Sequence, residues 1–212
     1  AIAKEIGISR TPVREALLVF TQMGVLQRVP RYGTVVRTPE LREVEELFDV
    51  RKALECYAIE VAIPLITAEE LEDLQACCQK MRDLLATLVD NKRSRLNADE
   101  AMKLFESDYA FHLGILKATG NRMLVKHIND NRVLIRLMGT ERVPQLDKAN
   151  ILEICEEHDA ILAAINERNA SLAKRLLAAH IDSSKSGVVA FVKKRLNALQ
   201  HEDDDDRLGI SF

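Results

Sequence analysis

The stretch TPELREVEELFDVRKALECYAIEVA, residues 38–62, decides how this chain folds. A β-favouring run stops at Thr38-Pro39, and from Leu41 onward positions recur at three and four residues. Val44, Leu47, Phe48, Arg51 and Leu54 share one stripe, followed by Ala58, Val61 and Ala62. That period belongs to a helix that lays one face on a core. The same spacing runs on toward the C-terminus and predicts helices near 41–63, 68–89, 98–119, 121–140, 150–167 and 169–198. Thr67-Ala-Glu-Glu70 has capping-box spacing, Asn97 is a cap for the third of these helices, and Gly120 suits its left-handed stop. Short connections force neighbouring helices to reverse, so residues 38–200 are expected to form an antiparallel all-α bundle. The closing HEDDDDRLGISF, within 201–212, reads as a solvated acidic tail.

Bundles build their sites between facing helices, and three features of this one exceed packing. Asp108 and His112, four apart in SDYAFHLGIL, lie on one helix face one turn apart. His158 in EEHDAILAAI and His180 in LAKRLLAAHID stand beside or within apolar stripes. One carboxylate and three imidazoles suit a divalent transition metal such as zinc, nickel, iron or manganese. A histidine on an apolar face is equally at home as a hydrogen-bonded core residue, and spacing alone leaves both readings open.

Upstream of the decisive stretch the character changes. Residues 1–37 carry six basic residues against two acidic ones, whereas the whole chain has a net charge of −3. A small basic head on an acidic body suggests a polyanion partner for the head alone. IAKEIGISRTPVREALLVFTQMGVL has the layout of a helix-turn-helix. A short helix carries Ile2 and Ile6 and ends at Gly7, Ser9 is placed to cap the next, and Val13, Ala16, Leu17 and Phe20 give that second helix an apolar face. Arg10, Thr11 and Arg14 then sit near its exposed N-terminal end, where hydroxyls, arginines and the helix terminus complement the anionic groove of DNA. VLQRVPRYGTVV reads as a hairpin wing with Arg31, Tyr32 and Gly33 at its tip.

Composition excludes several classes. The 212 residues are 47% hydrophobic and 30% charged, ordinary for a globular protein and too apolar for a disordered one. No run approaches the roughly eighteen apolar residues of a membrane span and the start lacks signal-peptide order, so a cytoplasmic protein is expected. Cys77 and Cys78 are adjacent, and Cys56 and Cys155 stand alone in apolar-periodic stretches, which reads as reduced core thiols. No HExxH, P-loop, GxSxG or GxGxxG occurs.

SRTPVREAL followed by GVLQRVPRYGTVV closely resembles the winged helix-turn-helix of GntR-family transcription regulators. The resemblance assigns operator contacts to Arg10, Thr11 and Arg14, with Gly33 in the wing, and implies that a first helix of the DNA-binding domain precedes Ala1. LFDVRKALECYAIEVA, SDYAFHLGILKATGN and EEHDAILAAINERNASLAKRLLAAHI resemble the FCD effector domain of the FadR subfamily. There the resemblance implies a metal held by Asp108, His112, His158 and His180, and an arginine, here Arg51, pointing into the effector cavity.

The expected protein is mainly α: a winged helix-turn-helix over 1–37 lacking its first helix, then the FCD-like bundle. It is expected to bind operator DNA as a homodimer, with no membrane partner, and to answer to a small organic acid that completes the metal's coordination. Arg51, Arg132, Arg136 and Asn121 are candidate effector contacts, although Arg51 can pair with Glu55 and Asn121 can cap a helix after Gly120. The competing class is a metal-dependent hydrolase or lyase using the same Asp/His cluster. It needs a base near a bound water, and none stands out at motif spacing.

Overall fold

The computed structural model describes residues 2–129, 142 and 145–208, with side chains to residue 197. Two short helices, α1 (Ile2–Glu5) and α2 (Arg10–Gln22), precede a hairpin of β1 (Leu26–Val29) and β2 (Gly33–Val36). The helical body follows as α3 (Leu41–Ala62), α4 (Ala68–Asp90), α5 (Ala98–Ala118), α6 (helical over 122–129), α7 (Lys148–Asn166) and α8 (Ala170–Leu208).

In the head, the turn between α1 and α2 relies on Gly7 at φ +70. Ser9 occupies the N-cap position of α2 in extended geometry, but its side chain makes no capping hydrogen bond. The helix therefore starts without the oxygen expected to satisfy its first amides. The strands pair antiparallel, from Leu26 opposite Val36 to Val29 opposite Gly33. Pro30, Arg31 and Tyr32 close the hairpin, with Arg31 at φ +71 taking the left-handed conformation alongside Gly33 at φ +99. None of α2 is buried: Phe20 is 44% exposed, and Val13 and Leu17 are only half-buried. Arg37 clips the head to the first turn of α3, donating from Nε to the Gly24 carbonyl (2.6 Å) and from Nη2 to Glu43 (2.5 Å).

The body owes its helices to the predicted period and its boundaries to reciprocal caps. In the Thr67–Glu70 box, Glu70 N donates to Thr67 Oγ1 (3.2 Å) and Thr67 N donates to Glu70 Oε2 (2.9 Å). Asn97 and Glu100 do the same at 2.9 Å in both directions. A third box, Asp147–Asn150, starts α7 two residues ahead of the expected 150, because an Asp-x-x-Asn pair does the work of the usual Ser/Thr-x-x-Glu. At the other end α8 runs past 198, through the acidic stretch, to Leu208. No glycine or proline interrupts the chain between Gly187 and Gly209, so the ladder continues where a separate tail was expected. The expected helix at 121–140 is described only through residue 129.

Phe48, Ile59, Leu74, Met81, Leu88, Leu104, Phe111, Ile151 and Ile161 are among the fully buried side chains of one continuous core. Helix α3 packs on α8 and α5, α4 on α5 and α7, and α7 on α8. Helices α4 and α5 meet so closely that a Cβ on Gly114 would come 2.7 Å from Leu74 Cδ2. Three lysine–carboxylate pairs record the α3–α8 register: Asp49 with Lys185 (2.6 Å), Lys52 with Asp182 (2.5 Å) and Glu60 with Lys174 (2.7 Å). Each step forward on α3 matches an equal step back on α8, so the two helices run antiparallel without slippage. The pairs are partly exposed and contribute little individually; they label a register that the buried faces hold.

Candidate metal centre and nucleic-acid face

Asp108 and His112 project from α5, His158 from α7 and His180 from α8, and the structure brings all four together, with ligand atoms within 4.8 Å of one another. The imidazoles are fully buried, whereas the Asp108 carboxylate is 27% exposed. Each histidine is held from behind through Nδ1. His158 Nδ1 lies 2.8 Å from the Ile154 carbonyl, His180 Nδ1 lies 2.7 Å from Glu157 Oε2, and His112 Nδ1 lies 2.8 Å from Glu55 Oε2. The His112–Glu55 contact is of ion-pair length without hydrogen-bond alignment. A carbonyl can only accept, so the His158 Nδ1 carries the proton and its Nε2 offers a lone pair.

The three Nε2 atoms turn toward a common point. His112 Nε2 and His180 Nε2 are 3.2 Å apart, and Asp108 Oδ1 lies 3.3 Å from His158 Nε2, 3.7 Å from His112 Nε2 and 3.9 Å from His180 Nε2. Such separations suit nitrogen and oxygen atoms that share one ion at bonds of about 2.0–2.2 Å. His158 Nε2 is buried without a hydrogen-bond partner among the described residues, which a cation would supply. Imidazoles anchored at Nδ1 by carboxylate or carbonyl, with Nε2 free to ligate, are the usual outer support of a metal site.

Burial pushes the His180 pKa well below its ordinary 6.5, and the neighbouring His158 and His112 push it further in the same direction. Burial works against ionised Asp108, but the adjacent His112 and His158 outweigh it and hold the carboxyl well below its usual range. Burial, reinforced by Glu153, pushes Glu157 up to about 7.

On one side the cluster opens to a cavity of about 70 Å³ lined by Phe48, Arg51, Phe105, Asp108, Arg142, His180 and Ser184 among others. Arg51 is there, as expected, and it is also paired: its Nε donates to Glu55 Oε1 (2.9 Å), and the Glu55 carboxylate in turn backs His112. Its Nη2 is buried with no hydrogen-bond partner among the described residues. Asn121 is not brought to the cavity. It is exposed, and its side-chain oxygen accepts from the amides of Met123 and Leu124 (3.1 Å each) to cap α6. Arg132 and Arg136 lie outside the described residues. A wider groove of about 570 Å³ runs between α4 and α5 past Lys80, Asp83, Lys103 and Glu106, away from the histidines.

Sequence reasoning missed Glu157 as a support and Arg142 as a lining residue. Glu157 adjoins His158 in the chain yet supports His180 on another helix, so adjacency would have misassigned it. On the head, Arg10, Thr11 and Arg14 are exposed along the first turns of α2, and Arg31, Tyr32 and Gly33 are exposed at the hairpin tip. Both sets are presented to solvent.

A basic winged head on a helical body with an inward-facing Asp/His cluster is the layout of a DNA-binding regulator. The FCD domain family matches residues 46–183, and the family described as bacterial regulatory proteins, gntR family, matches residues 1–36. The chain belongs to the GntR-family transcription regulators that carry an FCD domain. It is 27% identical over 215 residues to the HTH-type transcriptional regulator LutR of Bacillus subtilis, covering 92% of each chain. It is 27% identical over 208 residues to the Glc operon transcriptional activator of Escherichia coli K12, covering 88% of this chain and 77% of that one. Among solved structures, E. coli McbR/YncC superposes with a TM-score of 0.74 at 21% identity, over 92% of this chain and 85% of that one. A metal-free FCD domain superposes at 0.57 with 13% identity, over 74% of this chain and 99% of that one. These families and relatives are transcription regulators, and they point away from the hydrolase or lyase alternative. Among the described residues, no helix is long and apolar enough to cross a membrane.

Proposed function

We propose that Asp108, His112, His158 and His180 hold a divalent transition metal, and that a small organic acid binding beside it modulates how the head engages operator DNA. The observation that carries this reading is the convergence of three imidazole Nε2 atoms and one carboxylate, each imidazole fixed from behind through Nδ1. When bound, the metal supplies a Lewis-acidic point able to accept an oxygen of the acid. The chain's own residues do the rest. Glu55, the Ile154 carbonyl and Glu157 orient the imidazoles, Phe111 packs edge-on against His158 and His112, and Arg51 offers its Nη2 to the cavity.

Two such chains read a two-fold symmetric operator, each through Arg10, Thr11 and Arg14 at the start of α2 and through Arg31 and Gly33 in the wing. The acid shifts operator affinity only by the difference in its affinity for the two placements of the heads. The test is thermal melting of the zinc-, nickel-, iron- or manganese-loaded and chelator-stripped protein across small hydroxy-, keto- and dicarboxylates, followed by operator titration with any acid that shifts the melt. A shift that vanishes on stripping and changes operator affinity supports the reading. Indifference to both metal and acid returns the histidines to a structural role.

A further inference from the structure

Of the six basic side chains in residues 1–37, five are exposed: Lys4, Arg10, Arg14, Arg28 and Arg31. Arg37 is the exception. Its side chain is 24% exposed, and its guanidinium is held on two sides, Nε by the Gly24 carbonyl at 2.6 Å and Nη2 by Glu43 Oε1 at 2.5 Å. Its backbone N–H is engaged too, donating to the Val25 carbonyl at 2.9 Å. Gly24 stands just past the C-terminal end of α2, and Glu43 lies in the first turn of α3. One guanidinium therefore joins the end of the first helix to the start of the second. Gly24 is at φ +71, and a Cβ there would come 3.0 Å from Arg37 Nη2, so the bare backbone leaves room for the group.

Little else in the head fixes α2. Val25 is the single buried residue among those described over 2–37. The closely packed pairs among the described elements lie either within the head, α1 on α2 and α2 on β1, or within the body. Arg10, Thr11 and Arg14 sit at the far end of α2, about 18 Å from the clasp at 1.5 Å per residue. A tilt of about 10° at the clasp would carry them about 3 Å, more than a hydrogen bond to a base edge tolerates.

We infer that Arg37 is a positioning residue for operator reading: held between Gly24 and Glu43, it fixes the tilt of α2 on α3 and does not itself meet DNA. The clasp makes an acidic residue of the body necessary for DNA binding. As a charge alone, Glu43 repels a phosphate backbone, and its loss would tighten binding. As half of the clasp, its loss frees α2, and the contacts at Arg10, Thr11 and Arg14 must then be made from a less ordered start. The sign of the effect separates the two roles. This inference rests on the reading of α2 as the helix that meets the operator.

The test uses the full chain and two probes, a duplex selected by the wild type from a random pool and a scrambled duplex of equal length and composition, each titrated over a series of salt concentrations. Glu43→Ala and Arg37→Met are expected to weaken the selected duplex at least about fivefold and to leave the scrambled one within about twofold. Glu43→Gln, which still accepts a hydrogen bond, is expected to fall between wild type and Glu43→Ala. The salt dependence is expected to stay that of wild type in all three. Binding of the selected duplex by Glu43→Ala as tightly as by wild type, or more tightly, overturns the clasp. So does a salt slope reduced by about one in Arg37→Met, the mark of a phosphate contact. Arg14→Ala separates this inference from the reading beneath it. If Arg14→Ala binds the selected duplex as wild type does, or if wild type prefers neither duplex, both are overturned; if Arg14→Ala alone loses affinity, only the clasp is. Circular dichroism checks folding, and the two Glu43 variants decide the outcome if Arg37→Met does not fold.

Discussion

Helix α2 has thirteen residues and buries none, while α5 has twenty-one and buries eight, two of them the polar Ser107 and His112. The first helix presents Arg10, Thr11 and Arg14 outward on a thin scaffold of half-buried valine and leucine. The second spends its inner face on Leu104, Phe111, Ile115 and Leu116 and still admits a histidine to the core. The head works through what it shows to solvent. The body works through what it hides, and hiding three imidazoles is favourable only if each is partnered on both sides.

The largest effect that can break this comparison is on stability. Phe111→Ala should cost about 3–5 kcal/mol in urea melts, because a fully buried ring against two histidines leaves a cavity. Phe20→Ala should change stability by no more than about 0.5 kcal/mol, since that ring is 44% exposed. Equal costs would mean that the head contains a core after all. Zinc at a hundredfold excess over its dissociation constant should add about 2.7 kcal/mol to the wild type. His158→Ala should abolish that increment and Tyr32→Ala should leave it intact; a zinc response surviving in His158→Ala would move the site elsewhere.

Operator binding sharpens the other half. Arg14→Ala should lose about 1–3 kcal/mol of operator affinity, or flatten its salt dependence if the contact is to phosphate, with the zinc-dependent melt unchanged. Loss of the melt as well would couple the two regions more tightly than their separate packing suggests. A smaller effect belongs to the caps: Thr67→Ala should cost about 1 kcal/mol, seen in the melt of the body.

The smallest concerns the thiols. All four cysteines are buried and free, and burial pushes Cys78 up to about 12 and Cys155 up to about 11. Both are raised in the folded chain, so their contribution is complete below the ordinary thiol value of 9.0 and is lost as pH rises from there through 11 and 12. At pH 8 the native protein should leave a thiol reagent unreacted at these two positions until denaturant is added. Rapid native-state labelling would show that the body opens.

Much of this was legible in the chain. The body helices follow from apolar residues at three and four, and two of their starts from Thr67–Glu70 and Asn97. The hairpin followed from two β-favouring runs around Pro30 and Gly33. Asp108 and His112 were readable as a pair because one helical turn separates them. Ser9 was misleading: it holds the capping position without making the bond, since residue type specifies the capacity for a cap and local geometry decides its use. The acidic run was misleading too, because a solvated composition does not by itself end a helix.

By itself the sequence determined the local elements and the chemical inventory, because backbone hydrogen bonds and amphipathic faces depend on neighbours within a turn or two. Only the tertiary structure decided that His158 and His180 meet Asp108 and His112, and that Glu157 supports the histidine on the opposite helix instead of its neighbour. It alone set Arg142 on Gly187. Those juxtapositions depend on helix register and crossing, which the buried faces of α3, α5, α7 and α8 settle together and no single stretch encodes.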